Sequence, residues 1–89
     1  MPTMIVRHTV ADFDTWKPFF DEHKGMRQNA GLSDVGVYRD ASAANNVLIV
    51  FDAEDLERAR KFASSDDMRE TMEKAGVISE PTVWFLNGA

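Results

Sequence analysis

Cysteine is missing from all 89 residues, which removes disulfides, thiolate metal sites and thiol nucleophiles together. Positive charge is scarce: ten Lys and Arg stand against fifteen Asp and Glu, for a net charge of −5. Phosphate-backbone binding needs a concentrated basic surface, so no nucleic-acid partner is expected. No apolar run is long enough to span a membrane, and the start MPTMIVRHTV carries no cleavage pattern behind a hydrophobic stretch. The expectation is a cytoplasmic protein with no signal peptide and no membrane contact. Gly-x-Ser-x-Gly elbows, P-loops and dinucleotide fingerprints do not occur. His8 and His23 are fifteen residues apart without H-x-H or H-E-x-x-H spacing, so no metal is expected.

What is present reads as one domain over residues 1–89. A chain of this length buries only about 60–65% of its unfolded surface, and small domains without staples often gain burial by oligomerising. Met4 to Val10 reads as a strand, with Met4, Val6, His8 and Val10 on one face and Ile5, Arg7 and Thr9 on the other. Asp12 and Asp14 are candidate N-caps for a helix over Thr15 to Ala30. Its stripe comprises Trp16, Phe19, Phe20, His23, Arg27 and Ala30. Pro18 is placed in the first turn, where a missing amide costs little. Gly31 is expected as the left-handed residue after the helix.

Leu32 to Arg39 reads as a second strand, with Val35 and Val37 sharing one face and Gly36 and Tyr38 the other. Asp40 to Asn46 is a turn-rich connector. Val47 to Phe51 is apolar on both faces, as a central covered strand is. Glu54 to Ala63 forms another helix with Leu56, Ala59 and Ala63 inward; Phe62 lies off that stripe and finds no role within one chain. Ser64 or Ser65 caps a short helix aligning Met68, Met72 and Ala75, which Gly76 ends. Pro81 precedes a last strand, Thr82 to Leu86.

The order strand–helix–strand–strand–helix–strand, with the second helix broken in two, is the α+β, ferredoxin-like βαββαβ arrangement. It is a four-stranded antiparallel sheet with helices on one face. Helices cover one sheet face only, yet the strands at 47–51 and 82–86 are apolar on both. Leu48, Val50 and either Trp84 or Phe85 in water would form a patch larger than monomers tolerate. A twofold-related copy is the simplest cover. Burying even about 600 Å² of it is worth about 15 kcal/mol gross, before the cost of association. A homodimer through the sheet face is expected.

The segments RHTVADFDTWKPFFDEH, R…AGL, YRD…NNVLIVFD and ARKFASSDDMRETMEKAGVISEP resemble the dimeric α/β-barrel superfamily. Within it, the chain is most similar to the small cyclase-like and antibiotic-biosynthesis-monooxygenase-like proteins. Asp12-x-x-x-Trp16 and Ala75-Gly76-Val77 are the most telling matches. The resemblance implies two sheets paired face to face, with a cleft in each subunit for small aromatic or polyketide-like molecules. The activities it implies range over cofactor-free oxygenation, ring closure, haem degradation and lactone isomerisation. A first-strand histidine commonly lines that cleft, and His8 is the matching position. The asparagine, tryptophan and histidine constellation of the haem-degrading branch does not map onto this chain, so no cofactor is expected.

The candidate catalytic residues are therefore His8, His23 and Tyr38. Histidine exchanges protons near neutrality, and a phenol can orient a ligand oxygen. Trp16, Phe20, Arg27 and Trp84 are candidates for binding substrate. Arg27 offers paired donors to a carboxylate or enolate. Each has a plainer reading: the aromatics as core, His8 as a hydrogen-bonded or interface histidine, His23 and Arg27 as a wet rim beyond the sheet edge. Three functional readings stay open. The first is a homodimeric cyclase-like or cofactor-independent monooxygenase-like enzyme using His8 as acid and base on a small aromatic or polyketide-like carbonyl compound. The second is a non-catalytic binder of a small apolar or aromatic ligand, and the third a stress-related dimer with no ligand.

Overall fold

A computed structural model describes residues 2–89. Eight elements follow in order: β1 Thr3–Thr9, α1 Phe13–Glu22, α2 Lys24–Asn29, β2 Leu32–Arg39, β3 Asn46–Ala53, α3 Leu56–Ala63, α4 Asp66–Lys74 and β4 Thr82–Leu86. The strands form one antiparallel sheet in the order β2-β3-β1-β4, with the helices on one face. This is the ferredoxin-like arrangement that the element order implied. Among the described residues, no helix is long and apolar enough to cross a membrane.

Alternation along β3 decides which face is the core. Val47, Ile49, Phe51 and Ala53 are all buried beneath the helices, whereas Leu48 and Val50 between them are only half-buried. On β1, Met4 and His8 share the helix side with Phe51 and Val47, their register partners. Ile5, paired with both Val50 and Trp84, lies on the opposite side. Among the described residues, no element covers that outer face, where Trp84 and Leu86 stay 41% and 42% exposed.

Four local features differ from the sequence reading. The first helix begins at Phe13 after Asp12, whose carboxylate accepts from the Thr15 hydroxyl at 2.7 Å rather than from a backbone amide. Pro18 consequently falls in the second turn, on the exposed side, where it has no amide to donate to the Asp14 carbonyl. The expected single helix is broken at His23, whose amide is shared between the Phe19 and Phe20 carbonyls at 3.3 Å while side chains bond both as well. The His23 imidazole Nδ1–H donates to the Phe19 carbonyl at 2.7 Å, and Arg27 Nη1 donates to the Phe20 carbonyl at 2.6 Å.

The fourth is a bulge in β2. Asp34 pairs with Phe51 and Gly36 with Val50, so Val35 has no partner across the ladder. An unpaired extra residue shifts the alternation by one. Val35 is therefore 54% exposed instead of sharing the inner face with Val37. Gly36 and Tyr38 go to the outer face, while Asp34 and Val37 both point at the helices.

Helix ends match their signals more closely. Gly31 has φ 80° and Gly76 φ 89°, left-handed conformations that glycine adopts without a Cβ clash. After α4 the amides of Gly76 and Val77 donate to the Glu73 and Met72 carbonyls, the paired bonds that close a helix C-terminus. Asp55 Oδ1 caps α3 through the Glu57 amide, and Ser65 Oγ caps α4 through Met68.

Candidate functional site

A cavity of about 80 Å³ lies between the sheet and the helices. Met4, Val6 and His8 of β1, with Ile49, Phe51 and Val83, form its floor. One wall is the inward stripe of α1 and α2, carrying Trp16, Phe20, His23 and Arg27. The other is Phe62, Met68 and Met72 from α3 and α4. Phe62, unexplained by its own helix stripe, thus faces the cleft.

An aromatic relay runs through the first wall. The His8 ring meets Trp16 edge-on at 5.5 Å, and Trp16 stacks on Phe20 at 5.0 Å with 28° between planes. The Arg27 guanidinium then lies over the Phe20 ring at 3.7 Å, where the ring's negative face attracts the cation. Helical spacing of four residues places Trp16 directly beneath Phe20.

His8 is 4% exposed, and its Nδ1 is buried without a hydrogen-bond partner among the described residues. Burial holds its pKa below the ordinary 6.5, with its own backbone pulling in the other direction. At neutral pH the ring is therefore uncharged. A buried polar atom without a partner is uncommon in folded proteins and marks a place for water, strain or a ligand.

Arg27 is buried and paired with Asp34, which overturns the rim reading for it. Its Nε and Nη2 donate to the two oxygens of Asp34 at 3.0 and 2.9 Å, and Nη1 to the Phe20 carbonyl. Asp34 reaches it because the residues before the bulge keep the inner face. Arg27 accordingly supplies no free charge for a carboxylate or enolate. His23 also lines the cavity; with Nδ1–H committed to Phe19, its Nε2 is the bare acceptor in the neutral ring.

Of the seven sequence-derived site residues, the structure brings His8, Trp16, Phe20, His23 and Arg27 to one cavity. Tyr38 and Trp84 are corrections. The bulge at Val35 turns Tyr38, 53% exposed, onto the outer face, and pairing with Ile5 turns Trp84 there too. Neither can assist His8 within one chain. Reasoning from sequence missed Phe62, Met68 and Met72 as cavity walls and Asp34 as the partner of Arg27. The methionine spacing was visible in the sequence, but Asp34 could not be assigned a face without the bulge. Among the described residues, no three His, Asp or Glu side chains converge as a metal site.

No protein-family model and no curated protein matches the chain. Solved structures do. A candidate antibiotic biosynthesis monooxygenase from Bordetella bronchiseptica superposes with TM-score 0.78 at 17% identity, covering 99% of this chain and 96% of that one. A second candidate antibiotic biosynthesis monooxygenase, from Caulobacter crescentus, gives TM-score 0.72 at 8% identity over 99% and 89%. An uncharacterized NIPSNAP domain protein from Burkholderia xenovorans gives 0.66 at 10% over 100% and 95%. At these identities the likeness establishes the fold, which is the one that the sequence resemblance implied.

Proposed function

We propose that the protein is a small homodimer that binds a small aromatic or polyketide-like carbonyl compound in the cleft between sheet and helices, with His8 as its acid–base group. The observation that carries this reading is the orphaned Nδ1 of a buried, uncharged histidine in the wall of an apolar cavity. An imidazole kept neutral is available as a base. It would take the proton of an enol or phenol hydroxyl and leave the electron pair on the ligand as an enolate. In a cyclase-like reaction the enolate carbon attacks a carbonyl of the same molecule, whose π pair moves to its oxygen and takes the proton back from His8; in a cofactor-independent monooxygenase-like reaction the ligand's electrons go to dioxygen, one atom of which bonds to the ligand carbon while the other leaves as water. The solved structures described as antibiotic biosynthesis monooxygenases favour this kind of chemistry by likeness of fold.

The homodimer rests on the outer sheet face. Ile5, Leu48, Val50 and Trp84 make most of it apolar, with Arg7 beside Leu48, and among the described residues no helix covers it. A second sheet from a twofold copy covers such a face with the same residues on both sides.

A second reading, a binder without turnover, is favoured by one observation. The charge of Arg27 is consumed by Asp34 and one His23 nitrogen by Phe19, leaving few groups for catalysis. Native mass spectrometry for a co-purified molecule, followed by a turnover screen of aromatic ketones, quinols and polyketide mimics, separates the two. Turnover in the wild type that disappears in His8→Phe supports the enzyme. Turnover that persists unchanged in the variant removes His8 from the mechanism, and saturable binding without turnover leaves the binder.

A further inference from the structure

The cleft's size and charge restrict what it can hold more narrowly than its apolar lining does. About 80 Å³ is roughly half the ~150 Å³ of an engineered apolar cavity that accepts benzene. The wall able to yield is α4, which has no fully buried residue and presents Met68 and Met72. Unbranched thioethers re-pack readily around a guest. Displacing them makes room for one ring; a fused polycycle would have to part α1 from the sheet, where Trp16 is 3% exposed.

Among the described residues, the two buried ionisable side chains that line the cleft offer no free charge. Arg27 is neutralised by both oxygens of Asp34, and burial favours the uncharged form of His8. A carboxylate or ammonium entering this cleft would be desolvated without a counter-ion. Among the described residues, the one buried side-chain polar atom without a hydrogen-bond partner is His8 Nδ1. In a neutral imidazole that nitrogen either carries the proton or accepts one, and a hydroxyl, being both donor and acceptor, satisfies either tautomer.

We infer that the cleft takes an uncharged molecule of no more than one ring, anchored to His8 by one hydroxyl. This rests on the cleft being the ligand site, as proposed above, and narrows that reading to the single-ring enol or phenol end of its range. A hydroxyl so placed is also the proton that His8 would remove: the O–H bond breaks, its proton goes to the imidazole and its electron pair stays on oxygen.

The test is titration of isotope-labelled protein, followed by the ring nitrogens of His8 and the amides of β1 and α4, with phenol, toluene, benzoate and 1-naphthol at pH 7.5. Phenol should saturate and move the His8 ring nitrogens. Toluene should bind about fivefold or more weakly, and benzoate and 1-naphthol should leave these signals unmoved at tenfold the phenol concentration. In His8→Phe the preference for phenol over toluene should fall to within about twofold. Benzoate or 1-naphthol binding as tightly as phenol overturns the ligand class while keeping the cleft as a binding site, as does a phenol preference that survives in His8→Phe. Silence of all four probes at these residues overturns both. If His8→Phe does not fold, the wild-type ranking of the four probes still decides.

Discussion

Arg27 and Asp34 form a two-pronged ion pair across α2 and β2, Nε to Oδ1 at 3.0 Å and Nη2 to Oδ2 at 2.9 Å. The arginine side chain is 5% exposed and the aspartate 26%. Because one partner is sealed and the other half-open, the pair matters most through what its loss would strand. Arg27 also closes the Phe20 carbonyl and covers its ring, so it fastens the break between α1 and α2 to the sheet.

Asp34→Ala should destabilise the protein by about 2–3 kcal/mol. That is below the usual cost of breaking a fully buried pair, since Asp34 keeps contact with water. The double variant Arg27→Met, Asp34→Leu should cost clearly less than the two single losses added together. Urea midpoints at constant slope measure both. Additive losses would show that the pair is not a coupled unit.

His8 should impose a pH dependence on stability. Its folded pKa lies below 6.5, so as pH falls through 6.5 the unfolded chain binds the proton first and stability drops. The slope from this one group is at most about 1.4 kcal/mol per pH unit, and it ends at the lower folded pKa. His8→Phe should lose this contribution, so between pH 7.5 and 5.5 its urea midpoint should fall less than that of the wild type. Parallel curves would place the titration elsewhere.

The outer sheet face should hold two copies together. Sedimentation of the wild type at about 10 µM is expected to show a dimer, and Val50→Glu a folded monomer, because a carboxylate there, opposite Ile5 and Gly36, is desolvated in an interface without a partner. A folded wild-type monomer at that concentration would remove the dimer from the proposed function.

Two glycine substitutions should differ in cost. Both Gly31→Ala and Gly76→Ala place a side chain at positive φ, worth about 1–2 kcal/mol. A Cβ at Gly31 would also come within 3.2 Å of the Arg58 guanidinium, whereas one at Gly76 meets nothing within 4 Å. The Gly31 variant should therefore show the lower thermal midpoint.

Element order, the inner face of β3 and the helix-ending glycines were legible in the sequence because each follows from a local rule: period two, period 3.6, or the need for positive φ. The same periodicity placed Trp16, Phe20, His23 and Arg27 on one stripe. Other features depend on contacts between distant segments. The break at His23 goes with the Arg27 bond to the Phe20 carbonyl, and the pairing of Arg27 shows only once Asp34 is known to face it. Tyr38 was assigned to the wrong surroundings because nothing in LSDVGVYR marks Val35 as the unpaired residue. Phe62 fits no stripe of its own helix and makes sense only with the sheet, α1 and α4 around it.

The unpaired Val35 has a consequence for how β2 tolerates changes of length. Elsewhere in the strand, losing one codon would invert every later side chain, carrying Val37 into water and Tyr38 inward. Losing Val35 itself would leave Asp34 opposite Phe51 and Gly36 opposite Val50, with every face as it is now. It is thus the position in β2 where a one-residue deletion is silent for the cleft.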